Sequence, residues 1–345
     1  MSKRKKINTS KFILPLIIIF FTAILILSLP VLLNYNSMKN VIEKKVTSEY
    51  KIDLKILDDI SFKIFPKPHY LVKKANLDLN VENKKSAIIE TENLKIFIPL
   101  NKIYSKSDLK INKIEIEKSN IYFKIKDILD FRNHLYYKIN EPIFVKNSKF
   151  FFLDKNNNII LISPINKINY FINNKNNSKE LKIKGNIFDI NYSSYWKRFY
   201  DKPKSSLNEI KLKNPNLTIK NSFSFEDNLV FRGNSYIDFL NEEIIFDYII
   251  RDNQIFIKSP NQNKNQKIKL LSKIELNPFS FDTTISFEQK DISFFTDNLL
   301  NIILNINEEY LGNINGKLNL AVNNLKNPII DNGNINFFIK EKIIN

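Results

Sequence analysis

Few residues in this chain could do chemistry, and their spacing is poor for it. Cys is absent, which removes disulfides, thiolate metal sites and cysteine nucleophiles together. The only two histidines, His69 and His134, are far apart in sequence, so a His-rich metal site is excluded. Acidic pairs occur at Asp58-Asp59, Glu242-Glu243 and Glu308-Glu309. Adjacent residues on a strand point to opposite faces, so these pairs do not make an acid and a base acting on one substrate. They read as turns or solvated faces. With five glycines in the chain, there is no G-x-G-x-x-G, no G-K-[ST] and no G-x-S-x-G. Phosphate-cradling loops and a nucleophile elbow are therefore not visible. The expectation is a protein that is not an enzyme and that carries no cofactor or metal.

The elements around these residues are more informative. Phe12 to Leu33 holds no charge across 22 positions. As a helix it would be ~33 Å long, enough for a hydrocarbon core of roughly 30 Å. Lys3, Arg4, Lys5, Lys6 and Lys11 precede it without an acidic residue, which keeps that end cytoplasmic by the positive-inside rule. An uncleaved anchor is the leading reading. A signal peptide competes, but the apolar run is long for one and no A-x-A-like site follows. A buried core helix also competes, but such helices rarely lack a polar face altogether.

The net charge of +17 suits anionic lipid headgroups or nucleic acid. The charge is scattered, which argues against a nucleic-acid groove. Heavy use of Asn, Lys and Ile also gives such a charge through composition alone.

Between Ser37 and Tyr50, Met38, Val41, Ile42 and Val46 fall at helical spacing, with Ser37 placed to cap. This helix is either an interfacial collar or a plug for the end of the sheet that follows. From Tyr50 the apolar period becomes two. Ile52, Leu54 and Ile56 alternate with polar residues, as do Ile60 and Phe62, Leu77 and Leu79, and Leu94, Ile96 and Ile98. Leu109 and Ile111, then Ile121, Phe123 and Ile125, continue the pattern. Roughly twenty such segments follow one another to the end, joined by short Asn, Lys and Ser turns. Antiparallel neighbours are expected. Phe65-Pro66-Lys67-Pro68 breaks the series, because proline cannot donate to a ladder. Asp127–Lys138 loses the alternation and reads as a helix or an irregular crossing. Asp291–Asn305 reads as a helix. Tyr195-Trp196-Lys197-Arg198-Phe199-Tyr200 reads as an excursion from the sheet, resting on a membrane surface or folding over a sheet edge.

So many half-buried strands cannot stay flat, and too few helices exist to cover them. The apolar face must close on itself or curl into a groove holding something apolar. The expected fold is mainly β with few helices. A single N-terminal transmembrane helix leads into an elongated, twisted antiparallel sheet curled into an apolar groove. The expected parts are a cytoplasmic tail at 1–11, the membrane helix at 12–33, an amphipathic juxtamembrane helix at 34–50 and a β-groove domain at 51–345. Candidate groove residues are Ile52, Leu54, Ile56, Leu94, Ile96, Ile98, Leu109, Ile111, Ile121, Phe123 and Ile125.

The order of these features resembles the AsmA-like family of bacterial envelope proteins. The likeness rests on the basic tail and membrane helix, on Thr47–Leu54 with Ile60–Pro68, and on Glu92–Leu100 leading into Asp108–Phe123. Leu311–Leu320 and Asn327–Ile335 resemble that family's later repeats. The match is best over residues 51–126 and 290–340 of the outer domain. Glu49-Tyr50 stands where members often carry a glycine before the second strand. The resemblance implies an inner-membrane anchor, a periplasmic β-groove and a part in moving phospholipid between inner and outer membrane. It carries no catalytic site. The partners it implies are membrane lipids, and no nucleic acid. An alternative is a scaffold for outer-membrane or other envelope proteins, recruiting a client by β-augmentation.

Overall fold

The computed structural model describes residues 19–22, 29–81, 84–104, 108–124, 141–154, 156–187, 189–200, 205–213, 216–227, 230–239, 242–251, 253–260, 267–276, 278–288, 315–323, 332–340 and 343–344. Its strands are β1 (Ile52–Ile56), β2 (Ile60–Lys63), β3 (His69–Val72), β4 (Ala75–Val81), β5 (Lys84–Phe97), β6 (Lys113–Lys124) and β7 (Ile143–Leu153). They continue as β8 (Ile159–Asn173), β9 (Ser178–Ile187), β10 (Ile190–Phe199), β11 (Ser205–Leu212), β12 (Leu217–Asp227), β13 (Val230–Phe239) and β14 (Glu242–Arg251). The last are β15 (Gln254–Lys258), β16 (Ile268–Leu276), β17 (Phe279–Phe287), β18 (Asn315–Asn323), β19 (Asn332–Lys340) and β20 (Ile343–Ile344). All belong to one long, twisted, open sheet.

The alternation of apolar and polar residues makes these strands, and short turns make most of them antiparallel neighbours. β2 pairs with β3 and β1 with β4, and β5 is long enough to pair with both β3 and β4. From β5 onward each strand pairs with the next. Two joints depart from the expected antiparallel pattern: β6 with β7, and β17 with β18, are parallel. The sheet is therefore mixed. A parallel joint needs a connection long enough to travel back along the sheet, typically a dozen residues or more. The two stretches where the period of two is lost, Asp127–Lys138 and Asp291–Asn305, fall in those two connections. Both lie outside the described residues, so the helical reading of each stays an expectation.

A crease crosses the first part of the sheet. The inward-facing set advances by three residues instead of two at Thr91–Leu94, Ile116–Ser119, Val145–Ser148 and Ile165–Ile168. Lys118 and Asn147 take positive φ angles of 53° and 47° there. Such irregularities bend a strand and raise its twist. Hydroxyls replace part of the missing ladder. Thr91 Oγ1 donates to the Glu117 carbonyl at 3.0 Å, and Ser148 Oγ donates to the Lys146 carbonyl at 2.8 Å. Ser119 Oγ donates to Ser148 Oγ at 2.7 Å.

Helix α1 (Lys39–Tyr50) lies inside the bend and packs against β1. Met38, Ile42, Val46 and Tyr50 recur every fourth residue and form one stripe. Ile42, Val46 and Tyr50 are fully buried, while Val41 falls off the stripe and is exposed. Ser37 does not cap the helix. Met38 holds the cap position without a side-chain hydrogen bond. Lys51, at φ 55°, ends the helix, and its N–H donates to the Thr47 carbonyl at 3.0 Å. The Glu43 carboxylate accepts the Ile56 N–H at 2.7 Å and ties helix to strand. Of Phe12–Leu33, residues 19–22 are helical and Leu29–Leu32 form a 3₁₀ turn. The rest of that stretch, and Lys3, Arg4, Lys5, Lys6 and Lys11, lie outside the described residues. Among the described residues no helix is long and apolar enough to cross a membrane.

Candidate functional site

The register places one apolar face along the first ten strands, and beyond β10 polar residues such as Asn208, Asn221 and Ser235 enter the same face. The row Tyr70, Ile96, Ile114, Ile143, Tyr170, Leu181 and Trp196 runs across seven paired strands without changing face. Further along, Ile219, Ile237 and Ile244 form a similar row on the same face. The opposite face carries Lys, Glu and Asn. Several of its aromatics lie under lysines: Lys182 Nζ sits 5.2 Å from the Phe171 ring and 5.4 Å from Tyr195, and Lys220 Nζ sits 5.7 Å from Tyr236. Lysine stems cover apolar surface while their charges stay wet.

The inner face is not uniform. From β1 to β6 it is sealed around α1, and at β7 Ile143, Phe150 and Phe152 are only partly buried against that core. The candidate groove residues Ile52, Leu54, Ile56, Leu94, Ile96, Ile121 and Phe123 all belong to this core, and Leu94 and Ile96 are 0% exposed. Ile98, Leu109 and Ile111 are buried there too. They lie in irregular chain between β5 and β6, so the strand expected at Leu109–Ile111 does not form. Ile125 lies outside the described residues. From β9 to β13 the same face is half-buried at Leu181, Ile183, Tyr192, Trp196, Ile210, Ile219 and Ile237. A second sealed cluster follows around Ile244, Phe246, Ile268, Phe287, Leu320 and Val322.

Three glycines give the inner face room for rings. Tyr192 stands opposite Gly185, Tyr248 opposite Gly233 and Phe281 opposite Gly316. A Cβ on Gly233 would come within 2.4 Å of the Tyr248 hydroxyl oxygen, and one on Gly316 within 2.3 Å of the Phe281 ring. The tyrosine hydroxyls reach polar partners on the same face. Tyr248 donates to Asn221 Oδ1 at 2.9 Å, and Tyr192 lies 3.4 Å from Ser163 Oγ. Burial pushes both phenols above their ordinary range, and these partners pull the other way.

The expected excursion at Tyr195–Tyr200 is a correction to the sequence reading. Tyr195 to Phe199 lie within β10 and pair with β9, and Tyr195 to Arg198 also pair with β11. Trp196 and Arg198 face inward, and Tyr195, Lys197 and Phe199 face outward. The aromatic-basic run hides the alternation because both faces of the strand carry an aromatic and a cation. Reading every second residue separately would have exposed it.

The ionisable groups expected to be inert sit away from the inner face. His69 is buried on the outer face, stacked 5.0 Å from the Phe97 ring, with Nδ1 2.7 Å from the Lys67 carbonyl. Burial lowers its pKa, as do Lys95 and Lys113, while the Lys67 carbonyl raises it. Beside it, Glu115 lies 2.9 Å from Lys146 Nζ and 3.3 Å from Lys113 Nζ. Burial pushes the Glu115 carboxyl up, but Lys146, Glu117 and Lys113 outweigh it and hold the pKa at about 2. Asp58 and Asp59 form a turn in which Asp58 accepts the Asp59 N–H at 2.8 Å. Glu243 accepts the Tyr236 hydroxyl at 2.5 Å on the outer face. His134, Glu308 and Glu309 lie outside the described residues. Among the described residues no group of three or more His, Cys, Asp or Glu could hold a metal ion.

No protein-family model and no curated protein matches this chain. Among solved structures, the sex pheromone staph-cAM373 precursor is similar at 9% identity over 100% of this chain and 98% of that one, with a TM-score of 0.14. A likeness of that size informs neither fold nor function.

Proposed function

We propose that this chain is a membrane-anchored envelope protein that takes up phospholipid acyl chains along its inner face and supports their passage between inner and outer membrane. On this reading Phe12–Leu33 crosses the inner membrane once, the basic tail is cytoplasmic and the sheet is periplasmic. The observation that carries the proposal is the half-buried apolar set Leu181, Ile183, Trp196, Ile210, Ile219 and Ile237 on the inner face of β9 to β13, flanked on both sides by sealed clusters on the same face. An apolar face left half-open over five strands favours an apolar occupant, because each Å² withdrawn from water contributes about 25 cal/mol. The lipid-contacting residues proposed are therefore Leu181, Trp196, Ile210 and Ile219 in place of the sealed set in β1 to β6. The likeness of the sequence to AsmA-like proteins points the same way.

Mass spectrometry of lipid carried by the full-length protein, washed in detergent, tests this. Acyl lipid is expected on the wild type and absent from Ile210→Asp with Ile219→Asp. Equal lipid on both proteins overturns the proposal.

A second reading, a scaffold that adds a client strand to the sheet, draws on one edge. β19 pairs outward with β20 only at Ile339 and Lys340, and Ile335 and Phe338 are exposed beside the remaining edge. An edge proline at Asn336 would then hurt function more than the inner-face charges.

A further inference from the structure

The second sealed cluster is buried more deeply than a lone sheet allows. Leu320 is 0% exposed, Phe287 1% and Ile268 2%, all on the inner face. A single sheet leaves both its faces to water, so burial this complete needs a second layer. Neighbouring strands alone leave the same face half-buried at Ile210, Ile219 and Ile237. Helix α1 packs on β1, at the far end of the sheet. The layer over β16 to β18 therefore comes from residues outside the described set.

The parallel joint between β17 and β18 points to which residues these are. Phe287 ends β17 and Asn315 begins β18, so residues 288–314 must carry the chain back along the sheet. Connections between parallel strands of one sheet are right-handed in about 98% of cases. The face they cross then follows from the strand order seen from that face. On an upward strand, an L-residue whose side chain faces the viewer turns its N–H and C=O to the right. Ser259, just after β15, faces inward, and its N–H donates to the Leu270 carbonyl at 2.9 Å. Seen from the inner face with β15 upward, β16 therefore lies to its right. β16 is antiparallel to both β15 and β17, so β17 also points up, and β18 lies to its right in turn. The inward-facing Leu276, whose N–H donates to the Asn253 carbonyl at 2.8 Å, gives the same order. A right-handed path that steps to the right passes in front of the strands, which here means over the inner face.

We propose that Asp291–Asn305 docks as a helix on the inner face of β16 to β18 and is the layer that seals this cluster. Ile292, Phe295, Leu299 and Ile302 recur at steps of three and four and share one helix face, while Asp297, Asn301 and Asn305 lie on the other side. As a helix the segment is ~22 Å long at ~1.5 Å per residue. The paired stretch Ser280–Phe287 spans about 23 Å at ~3.3 Å per residue, so the helix covers the distance the chain must travel back. Its apolar side meets Ile285, Phe287, Leu318, Leu320 and Val322. The inner face then carries a helix over each end, with β9 to β13 between them. The docking does not depend on the lipid reading.

The chain has no cysteine, so introduced thiols report without background. Full-length protein with Leu299→Cys is combined with one of three partners: Leu320→Cys on the sealed inner face, Thr284→Cys on the outer face, or Ile219→Cys on the half-open inner face. A short bis-maleimide is added, and crosslinked peptides are quantified by mass spectrometry. Leu299→Cys with Leu320→Cys is expected to crosslink at least about tenfold more than either other pair, because docking raises the effective concentration of the two thiols. A second measurement follows alkylation of Leu320→Cys alone by N-ethylmaleimide. Adding Leu299→Asp with Ile302→Asp is expected to speed it at least about tenfold, while Ile96→Cys, beneath α1, keeps its slow rate.

Preferential crosslinking to Thr284→Cys would put the connection on the outer face, and preferential crosslinking to Ile219→Cys would put it over the half-open strands. Either result overturns the docking, as does equal crosslinking to all three partners. Alkylation of Leu320→Cys unchanged by the two Asp substitutions overturns it too. If those substitutions also speed alkylation of Ile96→Cys, the whole sheet has opened, and the crosslinking ratios, measured without them, decide.

Discussion

The sealed face of β1 to β6 and the half-open face of β9 to β13 are built from the same alternation but differ in what lies over them. In the first region the crease through Lys118 and Asn147 bends the sheet around α1, and Ile42, Val46 and Tyr50 fill the space. In the second region the ladder runs straight through β10, β11 and β12, and no helix among the described residues lies on it. The difference teaches that alternation sets which face is apolar, while local irregularity and a covering element decide whether that face is a core or a surface.

Stability should divide along this line. Leu94→Ala, in the sealed region, is expected to destabilise by about 3 kcal/mol, through lost transfer energy and an unfilled cavity. Ile219→Ala, at a half-buried position, should cost about 1 kcal/mol or less. Urea denaturation of the two variants measures the contrast, and equal losses would erase it.

The glycines sharpen the comparison within the second region. Gly233→Ala places a Cβ 2.4 Å from the Tyr248 hydroxyl and 2.7 Å from the Ser222 carbonyl oxygen, a backbone atom. A loss of about 2 kcal/mol is expected, as for overpacking in a core. Adding Tyr248→Ala should recover part of it, because the ring can be removed and the carbonyl cannot. A fully additive double mutant would show that ring and glycine are not coupled.

The smallest expected effect is electrostatic and confined to the first region. The Glu115 carboxyl is held at about 2, below its unfolded value of about 4.3. A depressed carboxylate contributes stability above the unfolded pKa and loses it as pH falls through the folded one. The contribution should therefore be full at pH 7 and fade between about pH 4.5 and 2. Partial exposure of the lysines limits it to on the order of 0.5–1 kcal/mol. Glu115→Gln should lower the melting temperature at pH 7 and lose most of that effect near pH 2.5. A pH-independent difference would assign the effect to packing.

Much of the fold was legible because side chains on strands repeat every two residues. Ile52, Leu54, Ile56, Leu94, Ile96, Ile121 and Phe123 were correctly placed on one face. Nothing in that period marks the crease, because Lys118 and Asn147 are ordinary polar residues whose positive φ depends on the strands around them. The two parallel joints were legible only as places where alternation failed. Of the candidate groove, the sequence showed which residues share a face but not that those in β1 to β6 are sealed beneath α1. A burial pattern of one apolar face is the same whether a helix or nothing covers that face. The inward direction of Lys179 and Arg198 was not legible, because cations on an otherwise apolar face run against the alternation.

The central claim is that lipid contacts the inner face of β9 to β13 and is excluded from that of β1 to β6. The direct measurement is photocrosslinking of full-length protein with a phospholipid carrying a photoreactive acyl chain, mapped by peptide mass spectrometry. Crosslinks are expected at Leu181, Trp196, Ile210 and Ile219, with none at Leu94, Ile96 or Ile121. Crosslinks confined to the outer-face residues Leu207 and Leu271, or spread equally over both regions, would contradict it.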